Sequence, residues 1–448
     1  MARPGESYTQ YYQRLESVVL RPLGHTTPQY RAFVFLLVLA IGWGLYAYLV
    51  QLRYGLLATG ARDVVMYGYY IVNFVFFIGI SYAGALVSAI LRLTHAAWRS
   101  PITRISELIA VGGLTDGALQ PIIDLGRPDR VLNIVVYGRF QSALLWDLIA
   151  ITTYLAGSFI YLYLPLIPDF ARLRDRMKPG AKGIRARLYT WLAVGWQNTL
   201  EQRHRLDRAI AIMAVAMIPL AVSVHTVVAF IFSMTLRPGW NSTIYGFYFV
   251  IGAVFSGTGM LLIIIAVIRR ACHFEEYITE KHFRYLGYLF LTMLLLYLYL
   301  AFTEYLTPAY KVAGEDKSLL TLLWLGPNAP WFWTFVVGGL IVPGLLLIFS
   351  RRHTIGKVLL AAVLVVIGMW LKRFVIVVPT LEVPLMPLDF ATYAPSWVEI
   401  SIAVGTLGGF LIMITLAAKF MPLISLWEME EHARTEKPGE SPAAEAGQ

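Results

Sequence analysis

A single cysteine, Cys272, stands among 448 residues. One thiol cannot close an internal disulfide, and it cannot hold an iron-sulfur cluster, which takes several thiolates. Any such cluster in the working assembly is therefore expected on a partner. Charge is also scarce: Asp, Glu, Lys and Arg make up 14% of the chain against 58% hydrophobic residues, too little polar surface to coat a water-soluble globule of this size. The formal net charge is +10, but the basic residues lie in short stretches between apolar runs and form no basic domain, so nucleic acid is not an expected partner. Of the histidines, only His225 falls well inside an apolar run; His25, His95, His204, His273, His282, His353 and His432 lie in loops, tails or margins. A bis-histidine haem needs two facing membrane histidines, so no haem is expected on this chain, and no metal. No apolar core precedes residue 32, so a cleavable secretory signal is not expected either.

What the chain has in abundance is apolar runs near twenty residues, at roughly 32–50, 67–91, 105–124, 143–166, 209–232, 247–268, 286–305, 331–349, 358–378 and 397–418. That length spans a bilayer as helix. A bilayer core offers no water to backbone groups, and the runs lack the ten-residue alternation of a barrel strand, so each run must bond to itself. The expected fold is an all-α, multi-pass membrane protein of about ten transmembrane helices. A cytoplasmic segment 1–31 leads in, and a first helix with its outer loop fills 32–66. The tail 430–448, rich in Glu, Pro and Ala, is expected to be disordered.

Orientation follows from where Lys and Arg fall. The termini and the loops on their side of the membrane hold 27, the opposite loops 8, and Lys372 and Arg373 lie inside span nine. Both termini are therefore expected in the cytoplasm. The loop from about 167 to 208, with Arg172, Arg174, Arg176, Lys178, Lys182, Arg185 and Arg187, suits anionic lipid headgroups.

Tyr67 to Val72 opens span two and Tyr245 to Val250 opens span six, followed at matching offsets by Arg92 and Arg269, then by Ile102-Thr103 and Ile278-Thr279. Four helices separate the copies, so both cross the membrane in the same sense. This predicts a parallel repeat of two four-helix bundles, over 67–232 and 245–378, with span ten at 397–418 outside it.

Ionisable groups inside a membrane are costly and hence functional candidates. Asp124 at the outer end of span three, Asp147 about one turn into span four and His225 about two turns from the outer end of span five share the outer half of the first bundle. Carboxylate and imidazole can exchange protons near neutral pH when burial or a neighbour shifts them. Asp116 and Glu107, deeper in span three, suggest a proton path, although nine residues put them on opposite helix faces. Lys372, Arg373, Glu304 and Glu399 sit at similar depth in the other spans and read as a snorkelling or ion-paired group.

Several of these positions sit in familiar motifs: Asn73 through Gly84, Pro101 through Arg104, Leu125 through Pro128, Trp146-Asp147, and Pro238 through Thr243. Together they resemble the NrfD/PsrC family of quinone-interacting membrane subunits, and look most like the quinol-binding C subunit of alternative complex III. The resemblance runs from about 30 to 420. It implies a respiratory subunit of a bacterial inner membrane, free of bound cofactor, that oxidises (mena)quinol near the outer face and passes electrons to a ferredoxin-like iron-sulfur subunit docked there. Other membrane and cytochrome subunits complete such complexes, and proton translocation is a further implication. Asp124, His225 and Asp147 are then the proton-exchanging residues, with Tyr82, Trp146, Arg127 and Arg139 around the quinol or its entrance. Tyr82 and Asp124 stand where the resemblance leads to an expectation of histidine.

Two other classes fit parts of this pattern. A secondary transporter would also show repeats and buried charge, but most spans here lack the Gly or Pro breaks of transporter helices, span eight with Gly338-Gly339 and Pro343 excepted. A paralogue in the same kind of complex could keep a proton path without quinol. Reporter fusions at each terminus are expected to read cytoplasmic, and an outward signal from either would move the candidate site to the wrong face.

Overall fold

The computed structural model describes residues 8–96, 98–177, 183–311, 314–350, 354–384 and 391–430. Helix follows helix: α1 (Tyr8–Gly24), α2 (Pro28–Tyr54), α3 (Tyr69–Leu93), α4 (Thr103–Asp124), α5 (Asn133–Val136), α6 (Ala143–Tyr163), α7 (Leu166–Asp175), α8 (Ile184–Leu192), α9 (Leu200–Ser233), α10 (Tyr245–Ala271), α11 (Glu280–Lys311), α12 (Gly314–Trp324), α13 (Ala329–Trp333), α14 (Val342–Ile348), α15 (Ile355–Glu382) and α16 (Trp397–Phe420). Among the described residues there is no strand. Among the described residues nine helical stretches are each long and apolar enough to cross a membrane. Thr103–Asp124 qualifies together with Pro128–Val136, from which it is bent by 106°. The protein is a multi-pass, all-helical membrane protein, and the ten expected spans fall on α2, α3, α4, α6, α9, α10, α11, α13 with α14, α15 and α16. The tail beyond Glu430, together with Lys178 and Lys182 of the basic loop, lies outside the described residues.

Local chemistry sets several helix starts. Thr27 caps α2 through the Tyr30 amide with Pro28 in the first turn, and Thr199 caps α9 through Gln202. Both follow from the need to satisfy free amides at a helix N-terminus. α9 and α11 outrun the expected spans 209–232 and 286–305, because polar first turns such as Leu200–Arg208 continue the helix beyond the apolar run.

The long helices sort by contact into two closed rings. In the first, α3 packs on α4, α4 on α6, α6 on α9, and α9 back on α3; in the second, α10, α11, the α13–α14 span and α15 close in the same way. α3 and α10 form the seam, with α9 and α15 contributing. α2 and α16 pair outside the first ring. α3 is accordingly buried along nearly its whole length, while α2 shows Phe35, Leu36, Leu45 and Leu49 to the surroundings.

Span eight is the irregular one. Thr334–Ile341 between α13 and α14 is a π-helix. Pro343 lacks the amide that would bond four residues back, and its ring crowds that carbonyl, so the wider turn relieves a clash at Gly339. Gly339 meets α15 at Gly368 so closely that a Cβ on it would lie 2.7 Å from the Gly368 Cα. With no hydrophobic drive between helices in lipid, such close backbone packing is what joins spans.

Both described chain ends lie on one face, called the terminal face below; the other is the distal face. α1 lies on the terminal face, with Lys419 bonded to the Pro22 carbonyl at 2.6 Å and Arg176 paired to Glu16 at 2.6 Å. Gly368→Leu is expected to destabilise the protein by about 1–3 kcal/mol through overpacking, read as an earlier thermal transition in detergent; an unchanged transition would refute the Gly339–Gly368 contact.

Candidate functional site

α6 turns one stripe into the first ring. Asp147, Ile151, Tyr154, Ser158 and Tyr161 are its buried positions, with Leu162 beside them, and their spacing of four, three, four and three keeps them on one face. Tyr154 donates to the Ser81 carbonyl of α3 at 3.3 Å. Beside that contact the Tyr82 and His225 rings meet at 4.6 Å between centroids, tilted by 55°. Both residues are almost fully buried, at 1% and 2% exposure. Asp147 lies seven residues, about 10 Å, nearer the distal face than Tyr154. Among the described residues His225 Nδ1 and Asp147 Oδ1 have no hydrogen-bond partner. Buried polar atoms are ordinarily satisfied, so these two are free to bond a molecule entering the ring.

Asp124 keeps different company. At the distal end of α4 its charge acts on Glu399, Tyr67 and Tyr70, whereas His225 faces Tyr82 and feels Arg373. Depth was readable from the sequence; which side of α4 the carboxylate takes was not. Glu399 is a cap: with Ser396 it forms a capping box on α16, and it also accepts from the Gly60 amide at 2.6 Å and the Tyr393 hydroxyl at 2.6 Å. Trp146, half-buried, donates to the Phe140 carbonyl at 2.6 Å. Arg127 and Arg139 are exposed on the distal loop, Arg127 in a two-point contact with Asp129 at 3.2 and 3.0 Å.

Lys372 does not snorkel; it is fully buried. Its ammonium pairs with Glu304 at 2.7 Å, donates to the Tyr305 hydroxyl at 2.6 Å, and lies 4.6, 5.3 and 5.4 Å from the Tyr305, Tyr248 and Phe335 ring centres. A carboxylate and three π faces are what a cation needs away from water. Glu304 also lines a distal cavity of about 340 Å³ with Asn241, Ser242, Thr243, Tyr245 and Thr307. Arg373, next in sequence, turns to the seam, where among the described residues it bonds the Met369 carbonyl at 3.2 Å and Ser256 Oγ at 3.4 Å.

Toward the terminal face, Glu107 accepts from Ser88 at 2.7 Å and pairs with Arg92 at 3.3 Å. Asp116 lies elsewhere on α4, beside Gln120, which bonds Thr406 of α16. Arg92 and Arg104 are partners that the amino-acid sequence alone does not assign: Arg92 also pairs with Glu428 at 2.8 Å, and Arg104 with Asp169 at 2.6 Å. Burial alone would push Glu428 up, but Arg92, Arg99 and Arg104 outweigh it and hold its carboxyl below the usual glutamate range.

The sequence profile of the polysulphide reductase family NrfD matches residues 57–384. The chain belongs to the NrfD family. The match spans both rings but stops short of α16 and the segment carrying Glu428. Relatives of this NrfD chain are alike over nearly their whole length. A Halobacterium salinarum protein, provisionally named as the membrane C subunit of a dimethyl sulfoxide reductase, is 28% identical, over 87% of this chain and 90% of its own. The selenate reductase C subunit of Mesobacillus selenatarsenatis is 24% identical, over 88% and 94%. The integral membrane subunit of menaquinone reductase from Nitratidesulfovibrio vulgaris is 24% identical, over 88% and 90%.

The NrfD chain can be probed through its buried ion pair. Glu304→Gln strands a buried ammonium and is expected to cost about 3–5 kcal/mol. Adding Lys372→Met should restore most of that loss, since no charge is then left alone. Thermal melts of both single variants and the double variant check this, and simple additivity would refute the coupling.

Proposed function

We propose that this protein is the quinone-interacting membrane subunit of a multi-subunit oxidoreductase, and that it oxidises (mena)quinol in the first ring. The observation that carries this is the Tyr82–His225 contact inside a buried ring in which, among the described residues, His225 Nδ1 and Asp147 Oδ1 are buried without a partner. The relative named as a menaquinone reductase subunit supports the substrate class. A quinol giving up two electrons also gives up two protons. His225 and Asp147 would bond the quinol oxygens and receive protons, and Tyr82 would orient the ring. Asp124, in its own cluster with Glu399, would exchange protons at the distal rim.

Electrons leave to an iron-sulfur partner on the distal face, where Arg127 and Arg139 stand exposed, and cytochrome and further membrane subunits complete the chain of carriers. We read the two rings as copies of one duplicated bundle, the likeness to the C subunit of alternative complex III as part of the same proposal, and the terminal face as the cytoplasmic face of a bacterial inner membrane. Proton translocation would accompany the electron transfer.

His225→Phe removes both ring nitrogens but keeps bulk. In the purified complex it is expected to lower quinol turnover by about a hundredfold or more. Asp124→Asn is expected to lower turnover more than quinol affinity, since amide keeps size and bonding but takes no proton. Wild-type turnover in both variants, or a stable lone chain that accumulates solute in vesicles, would overturn the proposal.

A further inference from the structure

The terminal end of the first ring is closed by chain that follows α16. Residues Met421 to Met429 are all buried. Asp169 of α7 holds them: its oxygens accept from the Leu426 and Trp427 amides at 3.3 Å each, and from Arg104 at 2.6 Å. Arg104 also donates to the Pro422 carbonyl at 3.0 Å and to Ser425 Oγ at 3.1 Å. Thus anchored, the segment delivers Glu428 to Arg92 at 2.8 Å and Thr103 at 3.4 Å. It lies outside the family match, which ends at residue 384.

Arg92 is thereby shared. Glu107 stands on it at 3.3 Å and Glu428 at 2.8 Å, both carboxylates being 1% exposed. Arg104 and Asp169 neutralise one another. The trio of Arg92, Glu107 and Glu428 carries one positive and two negative charges, and a buried site favours the neutral form, which is reached by one proton. The surrounding charges decide where that proton sits. Arg99 and Arg104 act on Glu428, and at the terminal end of α9 Asp207, with His204 and Arg203 near it, senses both Arg92 and Glu428. Those cations favour Glu428 as the ionised member. Glu107 Oε2 is buried without a partner among the described residues.

Glu107 also stands at the end of a row of hydroxyls. Ser88 links it at 2.7 Å to within 3.3 Å of the Tyr161 hydroxyl. Ser158 and Tyr154 follow on the inner stripe of α6 toward Ser81, Tyr82 and His225, with Tyr154 on the Ser81 carbonyl and with Ser158 Oγ and Ser81 Oγ unpartnered among the described residues, so bridging waters complete the row in the proposal below. Arg92 lies over the Tyr161 ring, 5.7 Å from its centre.

We propose that Glu107, Arg92 and Glu428 form a proton port, through which the first ring exchanges protons with the terminal face. In one transfer Glu107 gives up its proton, Glu428 takes it, Arg92 remains a guanidinium, and the charge of the trio is unchanged. Glu428 then yields the proton to water, and Glu107 is recharged along the hydroxyl line. Glu428 is a positioning and relay residue and touches no quinone. The port deepens the proposed function, because it rests on quinone chemistry at Tyr82 and His225 as the source or sink of those protons.

The test uses the purified complex, wild type and with Glu428→Gln, Glu428→Asp and Glu107→Gln. Infrared spectra at neutral pH are expected to show a protonated carboxyl band that Glu107→Gln removes. On transfer to heavy water its exchange is expected to slow by about tenfold or more in Glu428→Gln and to recover in Glu428→Asp, because glutamine keeps the Arg92 contact but carries no exchangeable acid. A merely structural Glu428 would leave the exchange rate unmoved in the glutamine variant, and that result overturns the port. Should Glu428→Gln not assemble, wild type still decides, since absence of a protonated Glu107 band at neutral pH overturns it as well. Binding of a menaquinone analogue, followed by quenching of protein fluorescence, separates the two proposals. Normal exchange behaviour without binding refutes the quinone site alone, and binding with unaltered exchange in Glu428→Gln refutes the port alone.

Discussion

A membrane interior cannot solvate charge, and that constraint orders most of what is seen here. Lys372 is fully buried because Glu304, Tyr305 and three ring faces stand in for water. Arg104 is buried because Asp169 and four backbone or hydroxyl oxygens surround it. Among the described residues Arg373 bonds a carbonyl and a hydroxyl, both of the second ring, and it sits where the two rings meet. Pulling the rings apart would expose that guanidinium to lipid, a cost that adds to the apolar contact of α3 with α10.

How much of this was legible differs by dimension. Position along the membrane normal could be read from the sequence, because a bilayer dictates run length and the helix rise converts residue number into depth. Ten spans, the burial of Asp147 and His225, and the comparable depth of Lys372 and Glu304 follow from that. Position around the normal could not, since it depends on which neighbour each helix chooses. Asp124 and His225 share the distal half but face different partners. Two further signals lie in the sequence. The spacing of Asp147, Tyr154, Ser158 and Tyr161 marks one face of α6, and Ser396 followed three residues later by Glu399 is a capping-box pattern that removes Glu399 from the charged group of span nine. The seat of Glu428 had no such signal, because it is made by residues far apart in sequence.

The two rings divide their polar residues unevenly. The first carries hydroxyls, carboxylates and one imidazole along its interior; the second groups Lys372, Glu304 and Tyr305 beside a distal cavity and buries His282 near its terminal end. Two rings of four spans thus hold different chemistry, in keeping with the rule that function resides in sites rather than in folds.

The wide turn in span eight bears on how such a chain changes over generations. A π-turn holds one residue more than a regular helix of the same length. Removing one residue between Thr334 and Ile341 would restore regular winding while leaving the helix before it and the helix after it in nearly the same register, because the wide turn carries its extra residue over about the same rotation. Phe335, one of the rings around Lys372, lies inside that turn, whereas α13 and α14 flank it. Single-residue insertions and deletions are usually tolerated in loops and eliminated from helices. Here a membrane span can lose a residue within the wide turn and change only the side chains of that turn, while both flanks keep their packing and the span still reaches across the bilayer.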